Sequence, residues 1–252
     1  MNKLNNGTIM QTIAVLNSKG GSGKTTISTN LASYYAETGH NTVLIDYDSQ
    51  GSSTHWVSTR SEDQPFIHCI PAYRQSTMQT RSFQMRLPSG TDRVIIDTPA
   101  AITHHQLEDI ANRSSFIIIP VLPSSIDIHA ASGFIERLNR INHIRRKETK
   151  LAVVASRVTT NRKIYAALED YLKSSDIPFV AKIRDTQNYI HSTNEGKGLF
   201  EIYPQYKVKR DKIDWHPLIN WIEQKEVFEE LPSEQNVEEI HPKQTERLIH
   251  AV

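Results

Sequence analysis

The chain has 252 residues, of which 38% are hydrophobic and 23% charged, a composition typical of a globular protein with one ordinary to large domain. Its longest dense apolar run, Phe116–Leu122, spans about seven residues, whereas a membrane-spanning helix needs roughly 20. The first dozen residues lack the apolar core of a secretory signal. The single cysteine, Cys69, excludes an internal disulfide and a multi-thiolate metal site. These features predict a cytoplasmic protein with no membrane partner.

The net charge of +1 is distributed unevenly along the chain. Residues 226–252 carry seven acidic and two basic side chains, so residues 1–225 carry 27 basic and 21 acidic ones, a net charge of +6. The last segment is also interrupted by Pro232 and Pro242. We therefore predict one folded domain at 1–225 and a flexible acidic tail at 226–252. A net charge of +6 does not by itself establish a nucleic-acid partner.

Apolar strand-like runs alternate with stretches of helical period along the domain. The predicted strands are Thr12–Asn17, Asn41–Asp46, Phe66–Ile70, Arg93–Asp97, Ser115–Val121 and Leu151–Ser156. The predicted helices are Lys24–Glu37, His105–Asn112, Ile128–Arg145, Lys163–Ser174, Thr186–Asn194 and Trp215–Glu223, the last with Pro217 in its first turn. Near-continuous apolar strands are expected where helices cover both faces of a sheet. The pattern predicts an α/β fold with a mostly parallel, twisted sheet between two helical layers.

A glycine-rich loop joins the first predicted strand to the first predicted helix. It fits the pattern G-x-x-x-x-G-K-[ST] except that Ser18 occupies the first glycine position. Backbone N–H groups of such a loop, together with the helix N-terminus, surround phosphate groups. Lys24 is placed to contact the β- and γ-phosphates, and the Thr25 hydroxyl to bind Mg²⁺. The predicted nucleotide-binding residues are Lys19, Gly20, Gly21, Ser22, Gly23, Lys24, Thr25 and Thr26.

The string KGGSGKTT at 19–26 resembles the deviant Walker A box of the ParA/MinD family of P-loop ATPases, which has a second lysine at the start of the loop. The resemblance implies that the chain hydrolyses ATP with Mg²⁺. It also implies that Lys19 acts in trans, because the corresponding family lysine reaches the phosphates of a partner subunit. ATP would then hold two copies of the chain face to face as a homodimer, with Lys19 and Lys24 both catalytic.

The segment at 44–52, LIDYDSQGS, follows the second predicted strand and resembles the family's switch segment D-x-D-P-Q-G. Ser49 stands where the family has proline. The resemblance implies that Asp48 orients the attacking water as a catalytic residue and that Asp46 supports the magnesium shell.

The segment at 94–100, VIIDTPA, resembles the family's Walker B strand and second switch. The resemblance makes Asp97 a metal candidate beside Thr25 and Asp46, and makes Thr98–Ala100 a sensor of the γ-phosphate. All three motifs follow predicted strands at their carboxyl ends, where open α/β sheets bind ligands.

The resemblance covers roughly residues 11–223 and favours the small ParA group, whose members position plasmids, chromosomal origins or protein cargo over the nucleoid. About a dozen residues precede the first strand, too few for a helix-turn-helix domain. The tail is acidic, unlike the basic membrane helix of MinD-like members. One cysteine does not suit the iron-protein branch of the family.

Small ParA proteins bind double-stranded DNA non-specifically through surface lysine and arginine side chains when they are ATP dimers. By position, the resemblance implies DNA contacts at Arg157, Arg162, Lys163, Arg184 and Lys197. It also implies nucleoid association and a ParB-like or other small adaptor protein that stimulates hydrolysis.

Two other classes of function stay open at this point. One is a nucleotide-switched regulator or scaffold that acts through protein partners without binding DNA. The other is a metabolic P-loop ligase or kinase, which Lys19 disfavours and for which no substrate motif is visible. His104 and His105 do not indicate a metal site, because adjacent helical residues point in different directions.

Overall fold

Parallel strands form one sheet in the computed structural model of the chain, which describes residues 10–74, 86–159, 169–170, 172–173 and 177–224. In this part of the chain there are seven, namely β1 (Gln11–Val15), β2 (Thr42–Asp46), β3 (Ile67–Pro71), β4 (Arg93–Asp97), β5 (Phe116–Val121), β6 (Lys150–Val158) and β7 (Phe179–Arg184). Their order is β3-β2-β4-β1-β5-β6-β7, and every neighbouring pair is parallel. All the carboxyl ends therefore meet at one edge.

Helices cover both faces of this sheet. They are α1 (Lys24–Glu37), α2 (Ser52–Ser58), α3 (His104–Arg113), α4 (Ser125–Asn139), α5 (Asn142–Arg145), α6 (Gln187–Asn194) and α7 (Lys209–Ile222). Alternate residues of β1 point to opposite faces: Ile13 packs in the core with α1, α2 and α7, and Ala14 in the core with α3, α4 and α5. The three-layer α/β/α prediction is confirmed.

Two predicted helices have different bounds in the structure. The single helix predicted over 128–145 is wrong, because the buried Ile141 is extended, with φ −76° and ψ 131°, and separates α4 from α5. The helix predicted from Trp215 begins six residues earlier, at Lys209, so Pro217 lies inside it and not in its first turn. Pro217 and Ile213 are both exposed. Water can therefore satisfy the Ile213 carbonyl that lacks an N–H donor at Pro217.

Other elements of the structure were not predicted, and some predicted segments lie outside the described residues. Helix α2, which follows the switch segment directly, and strand β7 are absent from the strands and helices predicted above. Cys69 lies half-buried in β3. Most of the predicted helix at 163–174 and all of the predicted tail at 226–252 lie outside the described residues. Among the described helices, none has the length and apolar character needed to cross a bilayer.

Candidate functional site

The glycine-rich loop leaves β1 at the carboxyl edge and ends where α1 begins. Gly23, the residue before α1, has φ +94°, and a Cβ there would clash with the Ser156 hydroxyl at the end of β6. The side chain of Asn17 fixes the start of the loop, because its Nδ2 donates to the Pro120 carbonyl (2.6 Å) and its Oδ1 accepts from Lys19 N–H (2.9 Å). The start of the loop is thus held from β5, and its last glycine lies close against β6.

Lys24 starts α1 and is buried at the floor of the loop. Its Nζ donates to the Lys19 carbonyl at 3.0 Å. Burial lowers the pKa of Lys24, although the carboxylates of Asp97 and Asp48 partly offset this shift. A buried cation whose hydrogen-bond partner is a neutral carbonyl is suited to receive an anionic ligand.

An open cleft, here called the P-loop cleft, lies in front of this lysine. Its lining comes from the loop, the first switch segment, the residues after β4 and the end of β6, and consists of Gly20, Gly21, Ser22, Gly23, Lys24, Thr25, Thr26, Asp48, Ser49, Gln50, Ser52, Pro99, Ala100, Ala101 and Arg157. The segments predicted as phosphate loop and switches therefore line one cavity. Thr98 is held just behind it, since its hydroxyl donates to the Val15 carbonyl (2.8 Å).

Asp46 and Asp97 end the neighbouring strands β2 and β4, in register with each other, and both are fully buried. Thr54 donates to Asp46 Oδ2 through its N–H (2.9 Å) and its hydroxyl (2.8 Å). The Asp97 carboxylate accepts from Ser28 of α1 (3.3 Å) and from Ser53 of α2. Two strand ends and two helices therefore converge on this carboxylate pair.

Burial raises the pKa of Asp97 to about 6, even though hydrogen bonds from Ser53 and Thr25 favour its charged form. The Thr25 side chain is thus near the same carboxylate. A hydroxyl and two carboxylates are hard oxygen donors, the ligands that Mg²⁺ prefers. A buried carboxylate with a raised pKa is also stabilised by a nearby cation. Thr25, Asp46 and Asp97 therefore fit a magnesium ion.

Asp48 lies two residues beyond β2 and lines the P-loop cleft. Its N–H donates to Asp46 Oδ1 (3.0 Å), and its own Oδ1 accepts from Gln50 N–H (3.0 Å). These local hydrogen bonds form a tight turn without the proline that Ser49 replaces. The Asp48 carboxylate therefore faces the cleft from a fixed turn.

Lys19 forms an ion pair within the same chain. Its Nζ lies 2.9 Å from Asp127 Oδ1, and its side chain is 41% exposed. Asp127 is in the first turn of α4, where Ser124 caps the helix by accepting from Asp127 N–H (3.1 Å). Although burial opposes it, hydrogen bonds from Ser124 and Lys19 lower the pKa of Asp127. The lysine predicted to act in trans is thus held in cis.

A second cleft, not predicted from the sequence, adjoins the first across Gly23 and Thr26. The remaining lining residues come from α1, the ends of β6 and β7, and α6, and are Ile27, Ser156, Arg157, Ile183, Arg184, Asp185, Gln187, Tyr189, Ile190, Thr193 and Asn194. Arg157 lines both clefts and has φ +55°, a backbone conformation uncommon for a non-glycine residue. This positive φ is a local backbone feature that the strand-like sequence around Arg157 does not indicate.

The predicted DNA contacts do not form one free basic surface among the described residues. Arg184 forms an ion pair with the buried Asp211 and lies 3.9 Å from Asp214. Lys197 Nζ is 2.7 Å from Glu195 Oε2. Arg157 faces the clefts as described above. Arg162 and Lys163 lie outside the described residues.

The strand–loop–helix places Lys24 on a cleft, and two buried acids lie at neighbouring strand ends. This arrangement defines a P-loop nucleotide-binding protein. The family model described as the CobQ/CobB/MinD/ParA nucleotide binding domain matches residues 13–200, and the chain belongs to this family of nucleotide-binding proteins. The resemblance to ParA/MinD proteins is thereby confirmed.

Particular relatives lie in the ParA-like part of this family. The maintenance of carboxysome distribution protein A of Halothiobacillus neapolitanus is 28% identical over 205 residues, which cover 81% of this chain and 93% of the relative. The chromosome-partitioning ATPase Soj of Thermus thermophilus is 27% identical over 154 residues, covering 51% and 61% of the two chains. A Cyanothece McdA–ATP complex has the same fold, with a TM-score of 0.65, 16% identity and coverage of 84% and 97%.

Proposed function

We propose that the chain is an ATPase of the small ParA group that binds ATP with Mg²⁺, dimerises around it and hydrolyses it. The single observation that carries this proposal is the composition of the P-loop cleft. The buried Lys24 lines this cleft together with Thr25 and Asp48. The buried carboxylates of Asp46 and Asp97 end the neighbouring strands β2 and β4, and Asp97 interacts electrostatically with Lys24. A cation for phosphate and an oxygen donor set for a divalent ion are the two requirements of nucleoside triphosphate binding.

In this proposal the P-loop N–H groups and Lys24 bind the phosphates, and Thr25, Asp46 and Asp97 hold the magnesium ion. When bound, Mg²⁺ neutralises charge on the β- and γ-phosphate oxygens. Asp48 accepts a hydrogen bond from the attacking water and orients it toward the γ-phosphate. The nucleoside occupies the second cleft, because this cleft continues from Gly23 and Thr26 and has the partly apolar lining that a base requires.

Lys19 completes the site from a partner copy. To reach the partner's phosphates it has to exchange its ion pair with Asp127 for one with the γ-phosphate, which carries the greater negative charge. The exposed position of Lys19 permits this exchange without unfolding of the loop. ATP then links the two copies, and the homodimer dissociates after hydrolysis.

The ATP dimer binds double-stranded DNA non-specifically and, with a small ParB-like or other adaptor protein that stimulates hydrolysis, positions cargo over the nucleoid. This part of the proposal is supported by two relatives, one a carboxysome distribution protein and the other a chromosome-partitioning ATPase. The alternative is a nucleotide-switched regulator that contacts only proteins. It is favoured by the ion pairs that neutralise Arg184 and Lys197.

The test measures binding of the full chain to random-sequence duplex DNA at low salt. The wild type is measured with ATP and Mg²⁺ and with ADP, and the variants Lys24→Ala and Lys207→Ala are measured with ATP and Mg²⁺. Lys207 is an exposed lysine outside both clefts and serves as the matched control. We expect binding only with ATP, its loss in Lys24→Ala and its retention in Lys207→Ala. Absence of binding under every nucleotide, with ATP hydrolysis intact, would leave the protein-contact regulator as the better account.

A further inference from the structure

Helix α2 connects the two site carboxylates to a distant part of the fold. At its start, consecutive residues hold both acids: Ser53 donates to Asp97, and Thr54 donates twice to Asp46, at 2.9 and 2.8 Å. With seven residues, α2 makes about two turns, which is too short for a helix to be stable by itself. Its position has to be fixed by contacts elsewhere.

Those contacts lie two residues beyond its end, at Arg60. The guanidinium donates to both carboxylate oxygens of Glu201, at 3.0 and 2.6 Å, and the two side chains are only 6% and 4% exposed. It also donates to the carbonyls of Gly196 (2.9 Å) and Pro65 (2.7 Å). A buried, bidentate pair fixes both the direction and the depth of the arginine.

The end of α2 and segment 195–201 pack closely around the Arg60–Glu201 pair. The Arg60 guanidinium lies 4.9 Å from the ring centroid of Trp56, the buried aromatic residue of α2, and Trp56 Nε1 donates to the Lys197 carbonyl (3.3 Å). Gly196 has φ +64°, and a Cβ there would lie 2.7 Å from the backbone nitrogen of Arg60. Small shifts of the end of α2 relative to segment 195–201 are therefore blocked.

Glu201 also contacts α1, the helix that follows the P-loop. Its Oε2 accepts from the Ser33 hydroxyl at 2.8 Å, and the nearby Leu199 N–H donates to Asn30 Oδ1 at 2.8 Å. One carboxylate therefore fixes α2 relative to α1, and α1 carries Lys24 and Thr25 at its start. This contact therefore adds to the hydrogen bond from Ser28 of α1 to Asp97 in linking the helix of Lys24 to the two acids.

We propose that Arg60 and Glu201 are positioning residues of the ATPase site: they hold α2 against α1 and thereby keep Asp46 and Asp97 in the geometry that hydrolysis requires. This inference rests on the proposed ATPase function. Neither residue touches the P-loop cleft, so their effect is exerted through Ser53 and Thr54. Loss of the pair would lower the rate of hydrolysis while leaving phosphate binding by the loop intact.

The test compares Arg60→Ala and Arg60→Lys with Arg93→Ala in the full chain. Arg93 is a matched control: it is also buried, pairs with a carboxylate (Glu223, 3.5 Å) and lies 5.1 Å from the ring centroid of Tyr35, but it is away from both clefts. The measurements are kcat for ATP hydrolysis, Kd for ATP, Tm, and hydrogen exchange at the amide of Thr54, which reports on α2 directly.

For Arg60→Ala we expect kcat to fall about 10-fold or more, since small misplacement of catalytic groups has large effects on rate, with Kd within about threefold of wild type. Exchange at Thr54 should accelerate. Arg60→Lys should recover only part of kcat, because lysine keeps the charge and loses the bidentate geometry. Arg93→Ala should lower Tm without changing kcat or Thr54 exchange.

Arg60→Ala with a lowered Tm but wild-type kcat and Thr54 exchange would overturn the inference and leave a purely structural pair. If Arg60→Ala does not fold, Arg60→Lys and Glu201→Gln decide the question by the same measurements. Absence of hydrolysis in the wild-type chain would refute the proposed function. Thr54 exchange would still show whether Arg60 holds α2.

Discussion

The carboxyl edge of the sheet has two differently constructed sides. Around β1, β2 and β4, Lys24 and Asp48 face an open cleft, and their protein partners are mostly backbone groups. Around β7 and the segment after it, Arg184 and Lys197 are closed in ion pairs with carboxylates of the same chain. The first side leaves charge available for a ligand, and the second satisfies its charge internally.

A charged residue at a ligand-binding edge can therefore have one of two roles, binding a ligand or stabilising the fold. A buried cation with no carboxylate in direct contact, such as Lys24, has a desolvation cost that nearby carboxylates offset only in part and that a bound anion relieves. A cation in a direct ion pair stabilises the fold instead. The P-loop side is therefore expected to respond to substitution through activity. On the β7 side, substitution of the paired charges is expected to act first on stability, and also on nucleotide affinity where the residue lines the second cleft.

The largest effect is expected for Asp48→Ala on the open side. The turn that holds Asp48 keeps its backbone hydrogen bonds, so ATP affinity should change little. Hydrolysis should fall about 100-fold or more because the water loses its orienting acceptor. Single-turnover hydrolysis and ATP binding are measured side by side. Asp109→Ala, which removes an exposed carboxylate of α3, is the control and should match wild type. Retained hydrolysis in Asp48→Ala would remove this residue from the catalytic set.

A smaller effect, on stability, is expected for Arg184→Ala on the closed side. Among the described residues, the buried Asp211 would keep only the Asn188 side chain as a side-chain donor. Breaking such a pair should destabilise the fold by about 2 kcal/mol. Urea unfolding measures this, and the double variant Arg184→Ala/Asp211→Asn should recover part of the loss. The salt dependence of DNA binding should stay unchanged, whereas a lost phosphate contact would reduce its slope by about one. A reduced salt dependence of DNA binding with unchanged stability would instead identify Arg184 as a DNA contact.

The two sides also differ in how far the sequence predicts them. The P-loop was predicted from its motif between a strand and a helix, and Asp46, Asp48 and Asp97 from the resemblance of their segments to the family's switch and Walker B motifs. All three motifs follow buried strands, and parallel strands bring their carboxyl ends together. Six of the seven described strands are apolar runs predicted to within two residues of their bounds, whereas β7 was not predicted. Helix α2 was missed because its short stretch, SSTHWVS, lacks a helical apolar period and is held by tertiary contacts of Trp56 and Arg60.

The partner of a surface charge depends on tertiary contacts that no local pattern records. Arg184 and Asp211 are 27 residues apart, and Lys19 and Asp127 lie on different elements. The same reason explains why the second cleft was not predicted. Apart from Gly23 and Thr26 of the phosphate loop, its lining comes from α1 beyond the loop and from β6, β7 and α6, which have no sequence motif for a ligand. Motifs with fixed geometry can be placed from sequence, whereas pairings between distant residues cannot.

Lys19 is the exception on the open side, since it forms an ion pair with Asp127. The variant Asp127→Asn tests whether this ion pair stabilises the fold as the pairs near β7 do. Because the pKa of Asp127 lies below its ordinary value of 3.8, the folded chain binds fewer protons there than the unfolded chain. The pair therefore adds stability above the ordinary pKa and loses it as pH falls through the lowered one. Because Lys19 is 41% exposed, the free energy of unfolding of the wild type should exceed that of Asp127→Asn by only about 0.5 kcal/mol near neutral pH. Urea unfolding should show this gap closing as pH falls below about 4. A gap independent of pH would assign the difference to the Ser124 cap, and Lys19 would then belong with the charges left open for a ligand.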